Sequence, residues 1–395
     1  MIINEKTWAF VSQHANDDVR TVALKGTKDP EVDMSIALQQ IAGRQTARYK
    51  LPSWSAVDGI VYPPHLNLEQ CSSEQTARYK GSLLTKEDGN NVFVDLTGGF
   101  GVDFFWMSQG FSRRIYVEQD AALCAVAEHN FQLLGLTSTV CCADGITYLK
   151  EMERADVIYL DPARRNQHGG RTYDIRDCTP NVLELLPILR QKAHTIIVKL
   201  SPMFDWRKAV ADLGCVAEVH IVSVGGECKE LVVVLRETDK PLRVVCVNDD
   251  EVFECFYPFQ QSCAAPPSPI TSEYLYEPNA SIMKAGCFAE LATSFHVKAV
   301  ADNSHLFLSS VEIDDFPGRK FQIFAISSAD KKDIKRLLSH VDFSLESANI
   351  TVRNFPMTAD QLHKKLKIKD GGDTYIFATT LANGQHKLFI CRKIG

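Results

Sequence analysis

The sequence predicts an α/β protein built on a doubly wound, largely parallel sheet, with a helical region before it and small α+β units after it. Three observations predict this. Between Asn91 and Leu235 short apolar runs alternate with helical stretches, as parallel strands joined by crossover helices require. The run Val92 to Val102, V-F-V-D-L-T-G-G-F-G-V, carries a strand into a glycine-rich turn. A second acidic strand end, Tyr116-Val117-Glu118, follows 23 residues after Asp95, the spacing of a nucleotide-type pocket at the carboxyl edge of such a sheet.

The elements follow in chain order. Residues 1–85 read as helical, and Ser72-Ser73 ahead of Glu74 supplies an N-cap just before the sheet begins. The hexapeptide Gln-Thr-Ala-Arg-Tyr-Lys occurs at Gln45–Lys50 and again at Gln75–Lys80, but its flanks do not repeat, so no solenoid is implied. Residues 86–238 form the predicted sheet domain, with seven strands at Val92–Leu96, Ile115–Glu118, Thr139–Cys142, Val157–Asp161, Thr195–Leu200, Val216–Val224 and Leu231–Leu235. Ala121–Leu134 and Val182–Lys192 are helices between them. The connection Val224 to Glu230 is too short for a crossover helix, so the seventh strand runs antiparallel to the sixth.

Residues 239–315 hold a hairpin, Leu242–Val247 with Glu251–Phe256, a Pro-rich linker over Pro258–Pro269, and a mixed segment with one helix around Ser281–Phe295. Residues 316–395 form a last α+β unit with a strand Phe321–Ile326, a helix Asp330–Val341 and a strand Ile350–Asn354. Thr358-x-x-Gln361 makes a capping box for a helix Ala359–Ile368 ended by Gly371-Gly372, and a hairpin Thr374–Thr380 with Lys387–Arg392 closes the unit.

Composition narrows the classes. No apolar run reaches the roughly 18–20 residues that span a bilayer, and the N-terminus lacks a basic segment followed by an apolar one, so a cytoplasmic protein without a membrane partner is expected. The 12 cysteines include no C-x-x-C pair and sit mostly in apolar contexts, which suits reduced thiols and argues against a structural metal. The net charge of −6 hides an asymmetry. Residues 316–395 carry 14 Lys and Arg against 7 Asp and Glu, a surplus of +7, which leaves −13 on the rest. Such a tail, with Lys364 and Lys365 in its helix, suits a polyanion such as RNA, or simply a solvated surface.

The chemistry concentrates at four strand ends. Gly98, Gly99 and Gly101 allow a tight turn beside Asp95, with Thr97 positioned to hydrogen-bond a ligand. Glu118 suits two ribose hydroxyls. Asp144-Gly145 after the third strand suits an adenine amino group. The apolar run ending Asp161-Pro162-Ala163-Arg164-Arg165 brings a carboxylate and arginines to the rim. Asp161 can accept a hydrogen bond from a nucleobase amino group and receive its departing proton, while Arg164, Arg165 and Arg171 can grip phosphates. Lys199 on the fifth strand either points into this pocket or buries its stem. A nicotinamide enzyme is disfavoured, because its fingerprint opens with glycine where Thr97 stands. No cysteine lies between Cys178 and Cys215, so direct attack by a substrate atom is favoured over covalent catalysis.

A parallel sheet closed by one antiparallel strand resembles the Rossmann-like class I S-adenosylmethionine-dependent methyltransferase fold. More specifically, Cys71-Ser72-Ser73-Glu74 with Thr76-Ala77 and Tyr79-Lys80, the glycine turn through Asp103, Tyr159–Arg165, Val198–Met203, Tyr276–Asn279 and Lys284–Gly286 resemble the bacterial class I methyltransferases with a C-terminal THUMP-like domain. That resemblance implies S-adenosylmethionine as cofactor, with Asp103, Thr76 and Lys80 near it, and an RNA substrate methylated at a base nitrogen. Methylation of a protein or small molecule, and an RNA-binding module with a vestigial pocket, are the alternatives. Arg164 stands where related D-P-P motifs carry an aromatic residue.

Overall fold

A computed structural model describes residues 3–84, 91–164, 174–260, 272–328, 330, 332–333 and 346–394, with residue 164 described by its backbone. The chain divides into two compact units, Met1–Val219 with Glu230–Lys240, and His220–Lys229 with Pro241–Gly395.

In the first unit the helices Glu5–Gln13, Val19–Lys25, Met34–Lys50, Pro52–Ser55, His65–Gln70 and Glu74–Ser82 precede the first strand, in keeping with the helical pattern of the sequence. Asn4, Asp18, Asp33 and Ser73 each accept a backbone N–H of the turn they open, which is why chain breaks rich in short polar residues start helices here. The strands that follow are β1 (Val92–Asp95), β2 (Arg113–Glu118), β3 (Thr139–Cys142), β4 (Ala155–Leu160), β5 (Ala163–Arg164), β6 (Cys178–Thr179), β7 (Ala193–Leu200), β8 (Val216–Val224) and β9 (Glu227–Leu235). β3, β2, β1, β4 and β7 lie side by side in parallel, and β9 runs antiparallel along β7. Helices such as Ala121–Leu133 and Val182–Lys192 cross between them. Central strands buried on both faces need apolar residues at every position, and Val157, Ile158, Tyr159 and Leu160 are all buried.

The hydrogen-bonded order is β11-β10-β8-β9-β7-β4-β1-β2-β3, where β10 is Leu242–Asn248 and β11 is Glu251–Tyr257. The sheet therefore has nine strands, where the sequence predicted seven. The hairpin read as separate continues the sheet edge, because its buried residues Val244, Val245, Cys246 and Val247 make a strand apolar on both faces.

The second unit contains a seven-stranded sheet, in the order β13-β14-β12-β15-β18-β17-β16. These strands are β12 (Tyr274–Pro278), β13 (Lys298–Ala299), β14 (Phe307–Ser309), β15 (Gly318–Ser328), β16 (Asn349–Arg353), β17 (Thr374–Thr380) and β18 (His386–Ile394). The single helix expected around Ser281–Phe295 is two, Ala280–Ala285 and Phe288–Ser294. Gly286 takes a left-handed conformation (φ 72°) and closes the first. The capping box at Thr358 and Gln361 forms as expected, but its helix ends at Leu366, with Lys367 left-handed at φ 59°, before Gly371-Gly372 is reached. Most of the expected helix Asp330–Val341 and of the Pro258–Pro269 linker lies outside the described residues.

Candidate active site

Strand register decides where the acidic strand ends fall. Asp95 pairs with Tyr116 of β2 on one side and with Tyr159 of β4 on the other. Glu118 and Asp161 each lie two residues beyond those partners, so three carboxylates occupy one edge of three adjacent strands.

The glycine turn is fixed by packing. A Cβ on Gly98 would sit 2.2 Å from the ring of buried Tyr116, and one on Gly101 would sit 2.6 Å from Phe131. Gly99 and Gly101 adopt φ 55° and 85°, which favour glycine. Gly99 N–H donates to Glu118 Oε2 at 2.9 Å, and Asp120 N–H donates to Oε1 at 2.9 Å. Each oxygen of Glu118 thus takes one backbone bond and keeps a lone pair for a further donor. That arrangement fits the two neighbouring hydroxyls of a ribose.

Asp95 is buried and accepts from Thr97 N–H at 2.8 Å and from the Thr97 hydroxyl at 3.3 Å. Burial pushes its carboxyl well above the ordinary carboxylate range, and the nearby charges of Asp103 and Asp161 add to the rise. The Thr97 hydroxyl also accepts Asp161 N–H at 2.7 Å. It ties the ends of β1 and β4 together, a use the sequence did not suggest.

Behind the rim lies a chain of charges. Lys199 Nζ is 2.5 Å from Asp161 Oδ2 and 3.5 Å from Asp103 Oδ2. Asp103 Oδ2 accepts the hydroxyls of Ser72 and Tyr159, each at 2.8 Å. Lys80 Nζ is 3.2 Å from Asp103 Oδ1 and 2.5 Å from Glu230 Oε1. Burial alone would raise Asp103, but Lys80 and Lys199 outweigh it and hold the carboxyl below the usual range. Burial likewise opposes the charge on Lys199, and Asp161 with Asp103 overcomes it, raising that ammonium above its ordinary value. Lys199, expected either to point into the pocket or to bury its stem, has 12% of its side chain exposed and ends between Asp161 and Asp103.

Other predicted residues stand apart from this cluster. Asp144 caps the helix Gly145–Glu151 by accepting Thr147 N–H at 2.8 Å, which lowers its carboxyl. Gly145 packs where a Cβ would meet the Leu96 carbonyl at 2.3 Å, so this turn presses against the end of β1. Thr76 is buried inside its own helix turn, bonded to Ser73. Arg164 lies on β5, its backbone paired with Cys178 of β6. Arg165 and Arg171 lie outside the described residues. Lys364 and Lys365 belong to the second unit, on the helix Ala359–Leu366. Sequence reasoning missed Glu230 and Ser72 as members of the charge chain. The one available signal was the pairing of Ser72 and Lys80 in a single motif eight residues apart.

A family model described as a THUMP domain-like domain matches residues 318–393, and one described as a ferredoxin-like domain matches residues 274–317. A solved structure from Porphyromonas gingivalis W83, described as a candidate methyltransferase, is 31% identical with a TM-score of 0.86 and covers 100% of both chains. A candidate class I S-adenosylmethionine-dependent methyltransferase from Listeria monocytogenes is 9% identical, covers 61% of this chain and 93% of its own, and has a TM-score of 0.38, too remote to bear on function. No curated protein matches the chain.

Proposed function

Because this chain belongs to the class I S-adenosylmethionine-dependent methyltransferases with a THUMP-like C-terminal domain, we propose that it methylates RNA, at a base nitrogen. The observation that carries the reading is the meeting, on one sheet edge, of Glu118, each of whose oxygens takes one backbone N–H, with Asp161, a second carboxylate held by Lys199. Glu118, pinned by Gly99 and Asp120, would hold the cofactor's ribose, and the glycine turn would let the backbone approach its remainder. The cofactor supplies an electrophilic methyl on a sulfonium.

The protein's own task is alignment. Asp161 Oδ2, anchored 2.5 Å from Lys199 Nζ, accepts a hydrogen bond from the base amino or imino group, points the nitrogen lone pair at the methyl and receives the proton released on transfer. Buried Pro162 stiffens the backbone between Asp161 and β5. Burial chiefly pushes the thiol of Cys71, which also feels the charges of Asp103, Lys199 and Asp161, up to about 11, which keeps it a thiol rather than a thiolate nucleophile and favours direct attack by the substrate atom.

RNA as substrate is supported by the +7 surplus on residues 316–395 and by the THUMP domain-like match over most of them. A radiolabelled-methyl transfer assay tests both parts. RNA from a strain lacking this protein should take up label that nuclease releases and protease does not. Label lost to protease instead would make a protein the substrate.

A further inference from the structure

Lys80 has no exposed side-chain surface, and its partners Glu230 and Asp103 are 4% and 11% exposed. A buried ion pair seldom adds net stability over an apolar pair of the same volume, so this one calls for a reason other than cohesion. The whole chain of charges suggests one. Two ammonium groups, Lys80 and Lys199, face three carboxylates, Glu230, Asp103 and Asp161, which leaves one negative charge. Of these five groups Asp161, 35% exposed at the rim, is the one that opens appreciably to solvent.

We infer that Lys80 and Glu230 are positioning residues for methyl transfer: their ion pair clamps Asp103, and through Asp103 and Lys199 it holds the acceptor carboxylate of Asp161 in one place with its charge turned to the rim. This inference rests on the methyltransferase reading of the site. Lys80 comes from the helix Glu74–Ser82, so a helix preceding the sheet completes the reacting edge. Asp103 faces Lys80 and Ser72 from that helix and its approach, Tyr159 from β4, Lys199 from β7, and Asp95 and Asp161 at the strand ends. With Lys80 gone, Lys199 is the cation left to Asp103 among the described residues, and its hold on Asp161 loosens.

The test uses Lys80→Met, Glu230→Gln and the double variant in the full-length protein, with two readouts. The first is kcat against KM for S-adenosylmethionine. Lys80→Met should lower kcat about 10- to 100-fold with KM changed far less, and the double variant should stay equally slow. Recovery of wild-type kcat in the double variant would overturn the inference, because a pair that only cancels its own charges is dispensable as a pair. The double variant carries this arm if Lys80→Met does not fold. The second readout is the carboxyl-carbon NMR titration of Asp103, which needs no substrate. Its midpoint should rise in Lys80→Met and in the double variant, and an unmoved midpoint would overturn the inference. A wild-type protein that transfers no methyl would instead sink the reading beneath it, and the titration would then decide the clamp alone.

Discussion

Asp161 is held by its own backbone as much as by its side chain. Its N–H donates to Thr97 at 2.7 Å while its carboxylate meets Lys199 at 2.5 Å, so both ends of the residue are fixed before substrate arrives. Asp161→Asn keeps the shape but removes the proposed proton acceptor. It should reduce kcat about 100-fold or more while changing S-adenosylmethionine affinity less than about threefold, measured by single-turnover transfer and by calorimetry. Asp95 behaves oppositely. Its folded-state carboxyl is raised, so its contribution to stability is full below the ordinary value of 3.8 and is lost as pH rises through the folded value. Asp95→Asn should therefore raise the melting temperature at pH 8 and leave it unchanged near pH 4. These carboxylates were legible in the sequence because each ends an apolar run. Lys80 and Glu230 were not read as partners, because nothing local distinguishes a buried lysine from a solvated one 150 residues from its mate.

Elements were legible where a single physical signal fixes them. The helix Val182–Lys192 has the bounds the sequence predicts, and so does β3. The break at Gly286 was missed because a left-handed glycine inside a helical pattern reads equally well as a tolerated interior residue. The hairpin β10–β11 was recognised as a hairpin, but its membership of the sheet was not, since strand order depends on pairings distant in sequence. The β1 turn offers the cleanest test at this scale. Gly98→Ala places a methyl 2.2 Å from the Tyr116 ring, which is buried and donates its hydroxyl to the Gly99 carbonyl at 2.5 Å. Urea denaturation should show a loss of about 1–3 kcal/mol, the usual cost of overpacking, together with weaker cofactor binding. An unchanged midpoint would mean that the turn is not packed against Tyr116.

Across the whole molecule, charge is divided unevenly, and that division bears on the substrate. Deleting residues 316–395 would be a poor probe, because β15 pairs with β12 and its removal would unmake the second unit's sheet. Substitution is gentler. Lys364→Ala with Lys365→Ala should weaken RNA binding and lower the slope of log affinity against log salt by about 0.7–0.9 for each phosphate no longer neutralised. An unaltered slope would return both lysines to a solvated surface. No helix among the described residues is long and apolar enough to cross a membrane.

The proposed cofactor capture, alignment and proton acceptance all require that the edge formed by β4, β1 and β2 bind S-adenosylmethionine through Glu118. Isothermal calorimetry on the purified full-length protein and its Glu118→Ala variant tests this directly. The wild type should show one site per chain and the variant an affinity about 10- to 100-fold lower, a loss of about 1.4–2.7 kcal/mol. No heat of binding in the wild type, or equal affinity in both proteins, would contradict it.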